Sequence, residues 1–277
     1  MRFATHSTQR LWREILTKLI TGILLTTALL FADGTKSFPQ SYYEIKESEK
    51  QREAFVKILY PLILKEEEKI RKERAFIESF FDKFEKEGIV TPDELKRLEQ
   101  LAKKYRNKSL YDKEAYLKRI DTIPISLVLA QAAIESNWGK SRFAREANNL
   151  FGEWTWGKRG IVPKNRPEGE HYKIRIFDSL EESIASYMRN LNRHWAYKAF
   201  REARFMARKT GQPFGGFEAA AYLNRYSQLG EKYVHMVKET IERHQWNLYD
   251  LPENAPVVQS GSEMVMLSKE IYRGIER

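Results

Sequence analysis

The chain has 277 residues, 42% of them hydrophobic and 31% charged, enough to bury one well-packed domain together with extensions. It contains no cysteine, which excludes a disulfide framework, a thiol nucleophile and a zinc–cysteine site. The formal net charge of +10 favours polyanionic partners, among them nucleic acid, acidic lipid headgroups and anionic cell-wall polymers.

Arg2, Arg10, Arg13 and Lys18 precede an uncharged run from Leu19 to Ala32 that is rich in Ile, Leu and Phe. A basic flank followed by such a run reads as the two leading regions of an export signal rather than as a core helix of a cytoplasmic protein. The run falls short of the roughly 20 residues that span a bilayer, which favours secretion over a permanent anchor. Leu30-Phe31-Ala32-Asp33-Gly34 has no clean Ala-x-Ala cleavage site, so a retained signal anchor stays open. Residues 1–34 are thus expected to be a signal peptide or signal anchor. The rest of the chain is then exported, either periplasmic or anchored to the cytoplasmic membrane facing outward.

Residues 35–120 read as a helical accessory segment. Phe55, Ile58, Leu59, Leu62, Ile63, Ile70, Ile77, Phe80, Phe81 and Phe84 recur at spacings of three and four among Glu, Lys and Arg, the pattern of long amphipathic helices. Gly88 ends one of them. Thr91-Pro92-Asp93-Glu94 opens the next, with Thr91 as N-cap, Pro92 in the first turn and Glu94 as the capping-box acid. Nothing in this segment carries chemistry, so it either packs on the domain that follows or holds that domain away from a membrane.

The main domain is expected over residues 121–247. From Leu127 to Ile134 the only polar side chain is Gln131, which makes this stretch apolar on every face and marks a helix enclosed by protein. Glu135 stands one turn beyond Gln131 on the same side. A carboxyl there is costly unless it has a partner or a task, and desolvation raises its pKa toward what a general acid needs near neutral pH. A solvated acid at a helix end is the plain alternative. Ser141 to Ala147 reads as a short helix broken by Asn148-Asn149. Alternation over Leu150–Trp156 and again over Tyr172–Phe177, with turn formers between Gly157 and Gly169, predicts one small antiparallel hairpin lobe. Ser179-Leu180-Glu181-Glu182 is a capping box opening a helix that buries Leu180, Ile184, Tyr187, Met188 and Leu191. Further helices follow over Trp195–Arg208 and Phe217–Leu223, and a last one is lined by Tyr233, Met236, Val237 and Ile241. Residues 248–277 read as a C-terminal tail in which Glu263–Arg277 forms a terminal helix.

Ala132-Ala133-Ile134-Glu135-Ser136-Asn137-Trp138-Gly139, then Ser141, then Asn149-Leu150-Phe151-Gly152, resembles the glucosaminidase domain of bacterial autolysins and flagellar muramidases, most closely its Bax-like branch. The resemblance runs from about Ile123 to about Trp246. It implies a mainly helical α+β, lysozyme-like domain that hydrolyses the β-1,4 bond following N-acetylglucosamine in peptidoglycan glycan strands. It makes Glu135 the catalytic acid and Tyr226 the cleft tyrosine that orients substrate or water. It also implies a second carboxylate on the hairpin lobe, for which Glu168, Glu170 and Glu153 are the candidates; Glu168 is preferred because Arg166-Pro167-Glu168-Gly169 sets it at the hairpin's tip. Gln131, Trp138, Asn149, Phe151, Trp154, Trp156 and Tyr233 make up the expected substrate-binding set, the indoles because their flat faces stack on pyranose rings. Trp195 and Trp246 are assigned to packing. No metal or other cofactor is expected, since His171, His194, His235 and His244 lack metal-ligand spacing. A lytic transglycosylase, which closes the muramyl ring without adding water, and a noncatalytic wall-binding protein are the competing readings. Nucleic acid is excluded as a partner for want of a recognition helix or a basic face with stacking aromatics. Membrane association is expected only through the N-terminal hydrophobic segment, and no feature fixes an oligomeric state.

Overall fold

A helix without a polar face has to be surrounded, and Ile125–Ser136 is: Leu127, Val128, Leu129, Ala130, Gln131 and Ala132 are all 0% exposed. The computed structural model describes residues 36–251. The expected export signal, Pro252, Pro256 and the expected helix at 263–277 lie outside the described residues. The elements in chain order are helices α1 (Gln40–Glu44), α2 (Ser48–Glu87), α3 (Pro92–Tyr105), α4 (Lys113–Arg119), α5 (Ile125–Ser136) and α6 (Arg142–Ala147). Strands β1 (Trp154–Thr155), β2 (Gly160–Ile161) and β3 (Lys173–Arg175) come next. Helices α7 (Leu180–Arg193), α8 (Lys198–Thr210), α9 (Gly216–Ala220) and α10 (Glu231–Arg243) complete the set, with 3-10 turns at Trp195–Tyr197 and Trp246–Asp250. This is the mainly helical α+β layout that was expected, a helical body carrying one small antiparallel lobe.

The accessory segment is part of the body. Its backbone is a single helix of 40 residues, α2, which runs about 60 Å and continues through Pro61 to a left-handed Gly88 cap. Phe38, Tyr42, Phe55, Leu59, Ile63 and Ile77 from this segment join Leu127, Leu150, Ile184 and Val237 in one buried apolar cluster. The alternative of a spacer holding the domain away from a membrane is therefore replaced by packing. Polar bonds reinforce the contact: Lys65 and Lys69 reach Glu181 at 2.8 and 2.7 Å, and the Tyr42 hydroxyl donates to the Trp138 carbonyl at 2.6 Å. Among the described residues no helix is long and apolar enough to cross a membrane.

Local signals held where they were self-contained. Thr91 and Glu94 exchange the reciprocal bonds of a capping box, at 3.2 and 2.8 Å. The Ser179 box closes on one side only: Ser179 Oγ accepts from Glu182 N, while Glu182 reaches Asp178 N instead of its cap. Met236 is 40% exposed, and Val234 takes the buried position expected of it. The hairpin lobe is a three-stranded sheet of order β1-β3-β2, because Gly160–Ile161, read as loop, pairs antiparallel with β3. Gly160 permits this approach, since a Cβ there would stand 2.6 Å from Lys173 Cβ.

One buried acid on α2 gives the fold a pH dependence. Glu67 is 3% exposed, and burial pushes its carboxyl up to about 7 against the pull of Arg71, 2.8 Å away. Asp250 raises it further, while Arg208 pulls down and Asp121 pushes up. A carboxyl whose folded pKa is raised favours folding while protonated, so its contribution is full below about 4.5 and is lost as pH rises through about 7. The loss amounts to about 3 kcal/mol at most. Glu67→Gln is expected to be more stable than wild type at pH 8 and to lose much of the decline between pH 5 and 8. Urea melts at the two pH values check this; a less stable variant at pH 8 would mean that the Arg71 pair outweighs burial.

Candidate active site

Glu135 occupies the last turn of α5, and the chain leaves the helix directly behind it through three consecutive left-handed residues, Asn137 (φ 49°), Trp138 (φ 55°) and Gly139 (φ 69°). Ser136 fastens that exit: its hydroxyl donates to the Ala132 carbonyl at 2.5 Å and accepts from Gly139 N at 2.7 Å. The Glu-Ser pair thus divides its work, one side chain facing outward and the other closing the turn.

The wall opposite the acid is a backbone turn. Gly152 has φ +68°, and a Cβ built on it would lie 4.0 Å from Glu135 Oε2, so the main chain of the Phe151–Gly152 turn passes directly before the carboxyl. Asn149 holds this turn in place. Its Oδ1 accepts from Glu153 N at 3.0 Å, and its Nδ2 donates to the carbonyls of Glu153 and Arg175, both at 2.9 Å. With its amide saturated and 2% exposed, Asn149 builds the lobe rather than contacting sugar, which corrects its expected role. Phe151 is likewise buried, stacked on Tyr187 with centroids 3.9 Å apart.

Behind Glu135 runs an ordered chain of neutral donors. Tyr187 donates to Gln131 Oε1, and Gln131 Nε2 donates to the Tyr233 hydroxyl at 2.7 Å. Tyr233, already an acceptor, has its own proton left for the Glu135 carboxyl it faces. Burial pushes Glu135 above the ordinary carboxyl range, and the Tyr233 hydroxyl pulls it partly back. Gln131, fully buried between two tyrosines, orients Tyr233 and does not reach substrate. Tyr226 stacks on Tyr233 at 5.3 Å and donates to the Phe151 carbonyl at 3.3 Å, tying α10 to the turn opposite the acid. Burial raises the phenols of Tyr187, Tyr197, Tyr226 and Tyr233, so the surroundings of Glu135 supply neutral hydrogen-bonding groups. Tyr187 had no signal in the sequence beyond an apolar helix face, and Tyr197, in the 3-10 turn Trp195–Tyr197, had none.

The remaining candidates separate. Glu153 is partly buried beside the turn, bonded by Ser186 Oγ at 2.9 Å and 3.6 Å from Arg175; burial raises its pKa while Ser186 and Arg175 pull it down. Glu168 and Glu170 are exposed in the loop between β2 and β3. Trp154 and Trp156 are 52% and 71% exposed on the sheet lobe, with Trp154 stacked on Tyr172 at 4.2 Å. Trp138 is not with them: Phe55, His244 and Trp246 surround its ring and Arg52 lies over it, so it locks the accessory segment to the C-terminal turn. Trp246 is buried as expected, whereas Trp195, also assigned to packing, is 70% exposed.

A mainly helical body, a small antiparallel lobe and a desolvated carboxyl facing the turn that leads into that lobe define a two-lobed protein with a candidate acid site at the junction. The model of the family described as mannosyl-glycoprotein endo-beta-N-acetylglucosaminidase, Glucosaminidase, matches residues 111–246. The chain is a Bax-like protein carrying a glucosaminidase-family domain. It is 33% identical to the protein Bax of Escherichia coli K12 over 188 residues, 66% of this chain and 66% of Bax. It is also 33% identical to the peptidoglycan hydrolase FlgJ of E. coli K12 over 90 residues, 28% of this chain and 29% of FlgJ. The match thus spans just under two thirds of Bax and less than a third of FlgJ. A solved structure, the catalytic domain of the autolysin Auto from Listeria monocytogenes, aligns with 63% of this chain and 88% of its own at 19% identity and a TM-score of 0.34.

Proposed function

We propose that the chain is an exported peptidoglycan hydrolase that cleaves the β-1,4 bond following N-acetylglucosamine, with Glu135 as general acid. The observation that carries this reading is the Glu135 carboxyl itself, held at the end of a buried helix whose only polar side chain between Leu127 and Ile134 is Gln131, raised by burial and hydrogen-bonded by the neutral Tyr233 hydroxyl. In the reaction Glu135 gives its proton to the glycosidic oxygen as the bond from that oxygen to the anomeric carbon breaks. Water adds to the anomeric carbon, and its proton passes to a second carboxylate. Glu168 is assigned that second role, because its loop is exposed and carries it free at the edge of the sheet lobe, whereas Glu153 is committed to Ser186 and Arg175. Trp154 and Trp156 supply open indole faces on which pyranose rings stack. Family membership and the similarity to FlgJ support the substrate class and an extracytoplasmic place of action.

Mass spectrometry of the fragments released from purified peptidoglycan tests this. Reducing N-acetylglucosamine ends from wild type, absent with Glu135→Gln, are the expected products. Anhydro-muramyl ends would reassign the chain as a lytic transglycosylase, and binding without release across pH and salt would make it a wall-binding protein.

A further inference from the structure

Glu182, Ser186, Arg189 and Arg193 lie along one face of α7, four, three and four residues apart. The first half of this row is neutralised. Arg175 Nη1 donates to Ser186 Oγ at 3.0 Å and its Nη2 lies 3.5 Å from Glu182, while Ser186 donates to Glu153. The second half is not: half-buried Arg189 and Arg193 make no ion pair and no side-chain hydrogen bond among the described residues.

A third guanidinium is brought to the same place from the accessory segment. Arg119 Nη1 donates to the carbonyls of Tyr105 and Arg193, each at 3.1 Å, which seats the end of α3 against the end of α7. The next residue, Arg106, caps α3 in a left-handed conformation and is exposed beside them. Burial, then Arg189 and Arg106, depress the pKa of Arg193, as expected for cations crowded together with too little counter-charge. Glu153 is the nearby acid, but it is itself raised by burial, and its Oε1 is buried without a partner. The C-terminal ends of α3 and α7 soften this repulsion without pairing the charges.

The row also borders the site. Glu153 follows Gly152, the residue facing Glu135, and Tyr197 feels the charges of both Glu135 and Glu153. At its far end Arg119 lines a concavity of about 470 Å³ beside exposed Trp195, room for more than one small group.

We propose that Arg189, Arg193 and Arg106 form an anion subsite flanking the cleft that takes a free carboxylate of the stem peptide on the glycan strand; this rests on the peptidoglycan reading above. Planar guanidinium forks match a carboxylate, and the ligand would relieve a repulsion that the fold leaves unresolved. The rest of the peptide extends toward Trp195.

The test compares the full chain with the double variant Arg189→Gln/Arg193→Gln on glycan strands that carry stem peptides and on the same strands stripped of them by an amidase. With peptide-bearing strands the double variant is expected to raise KM at least about tenfold at unchanged kcat, and with stripped strands to match wild type. Arg106→Gln gives a smaller rise in the same direction. Unfolding temperatures stay level or increase, since mutual repulsion has been removed; a clear fall would assign the arginines to structure and overturn the proposal. Equal losses on both substrates, or none on either, would also overturn it.

To separate this from the activity itself, binding of soluble peptide-bearing and stripped fragments is measured on the Glu135→Gln background. An arginine-dependent preference for the peptide-bearing fragment supports the subsite even if wild type releases no product. Preference lost when the peptide carboxylates are amidated supports it further. Arginine-dependent capture of phosphatidylglycerol vesicles with no preference between the fragments would instead make the patch a phosphate-binding surface.

Discussion

Glu135→Gln is expected to lower kcat on peptidoglycan by about 10² to 10⁴-fold with little change in KM, because the amide keeps the shape and loses the transferable proton. The wild-type rate should fall on the alkaline side as Glu135 ionises. Its raised pKa sets that limb above the range of an ordinary carboxyl. Tyr233→Phe is expected to shift that limb. The Tyr233 hydroxyl stabilises the ionised form and so lowers the Glu135 pKa; deleting it raises that pKa and moves the alkaline limb to higher pH. A pH–rate profile of the three proteins reads both effects. A limb that stays in place or moves down in the phenylalanine variant would remove Tyr233 from the acid's control, and near-normal turnover by the glutamine variant would end the assignment of Glu135.

The largest stability effect is expected at Asp121, far from the acid. Its carboxylate is 1% exposed; Arg208 Nε donates to it at 2.5 Å, and Arg204 and Arg74 lie at 3.6 and 3.5 Å. Through Arg74 it ties α2 to the main body. Arg204 is itself 3% exposed, and burial drags its guanidinium down to about 10 while Asp121 pulls it back up. Asp121→Ala leaves that cation buried with carbonyl and amide acceptors alone, from Lys118, Thr122, Asn192 and the main chain of residue 121 itself. Breaking such a pair from one side costs about 3 to 5 kcal/mol, or roughly 10 °C in unfolding temperature for a chain of this size. Arg208→Ala, which removes a half-exposed partner, should cost less than about 1 kcal/mol. Thermal melts of the two variants compare them directly, and similar losses would show that the solvent-facing arginine, not the buried one, depends on Asp121.

The acid and its helix were legible in the sequence because their signals are local. A stretch apolar on every face announces enclosure, and one carboxyl at its end announces a group with a task. The Thr91 cap, the Gly88 stop and the α7 core face are of the same kind, each read from residues three or four apart. The uninterrupted α2 helix was not, since Pro61 argues locally for a break that packing on both sides overrides.

What only the tertiary structure decided was which of two chemically equal roles each polar or aromatic side chain takes. Asn149 and Gln131 were credible ligands until their amides were found saturated by Glu153, Arg175, Tyr187 and Tyr233. Trp138 and Trp195 exchanged their expected places, one enclosed by Phe55 and Trp246, the other left in solvent. Periodicity fixes the face on which a residue stands within its own element. Whether that face meets protein or substrate depends on elements up to a hundred residues away, as with Gln131 and Tyr233, which stand 102 positions apart.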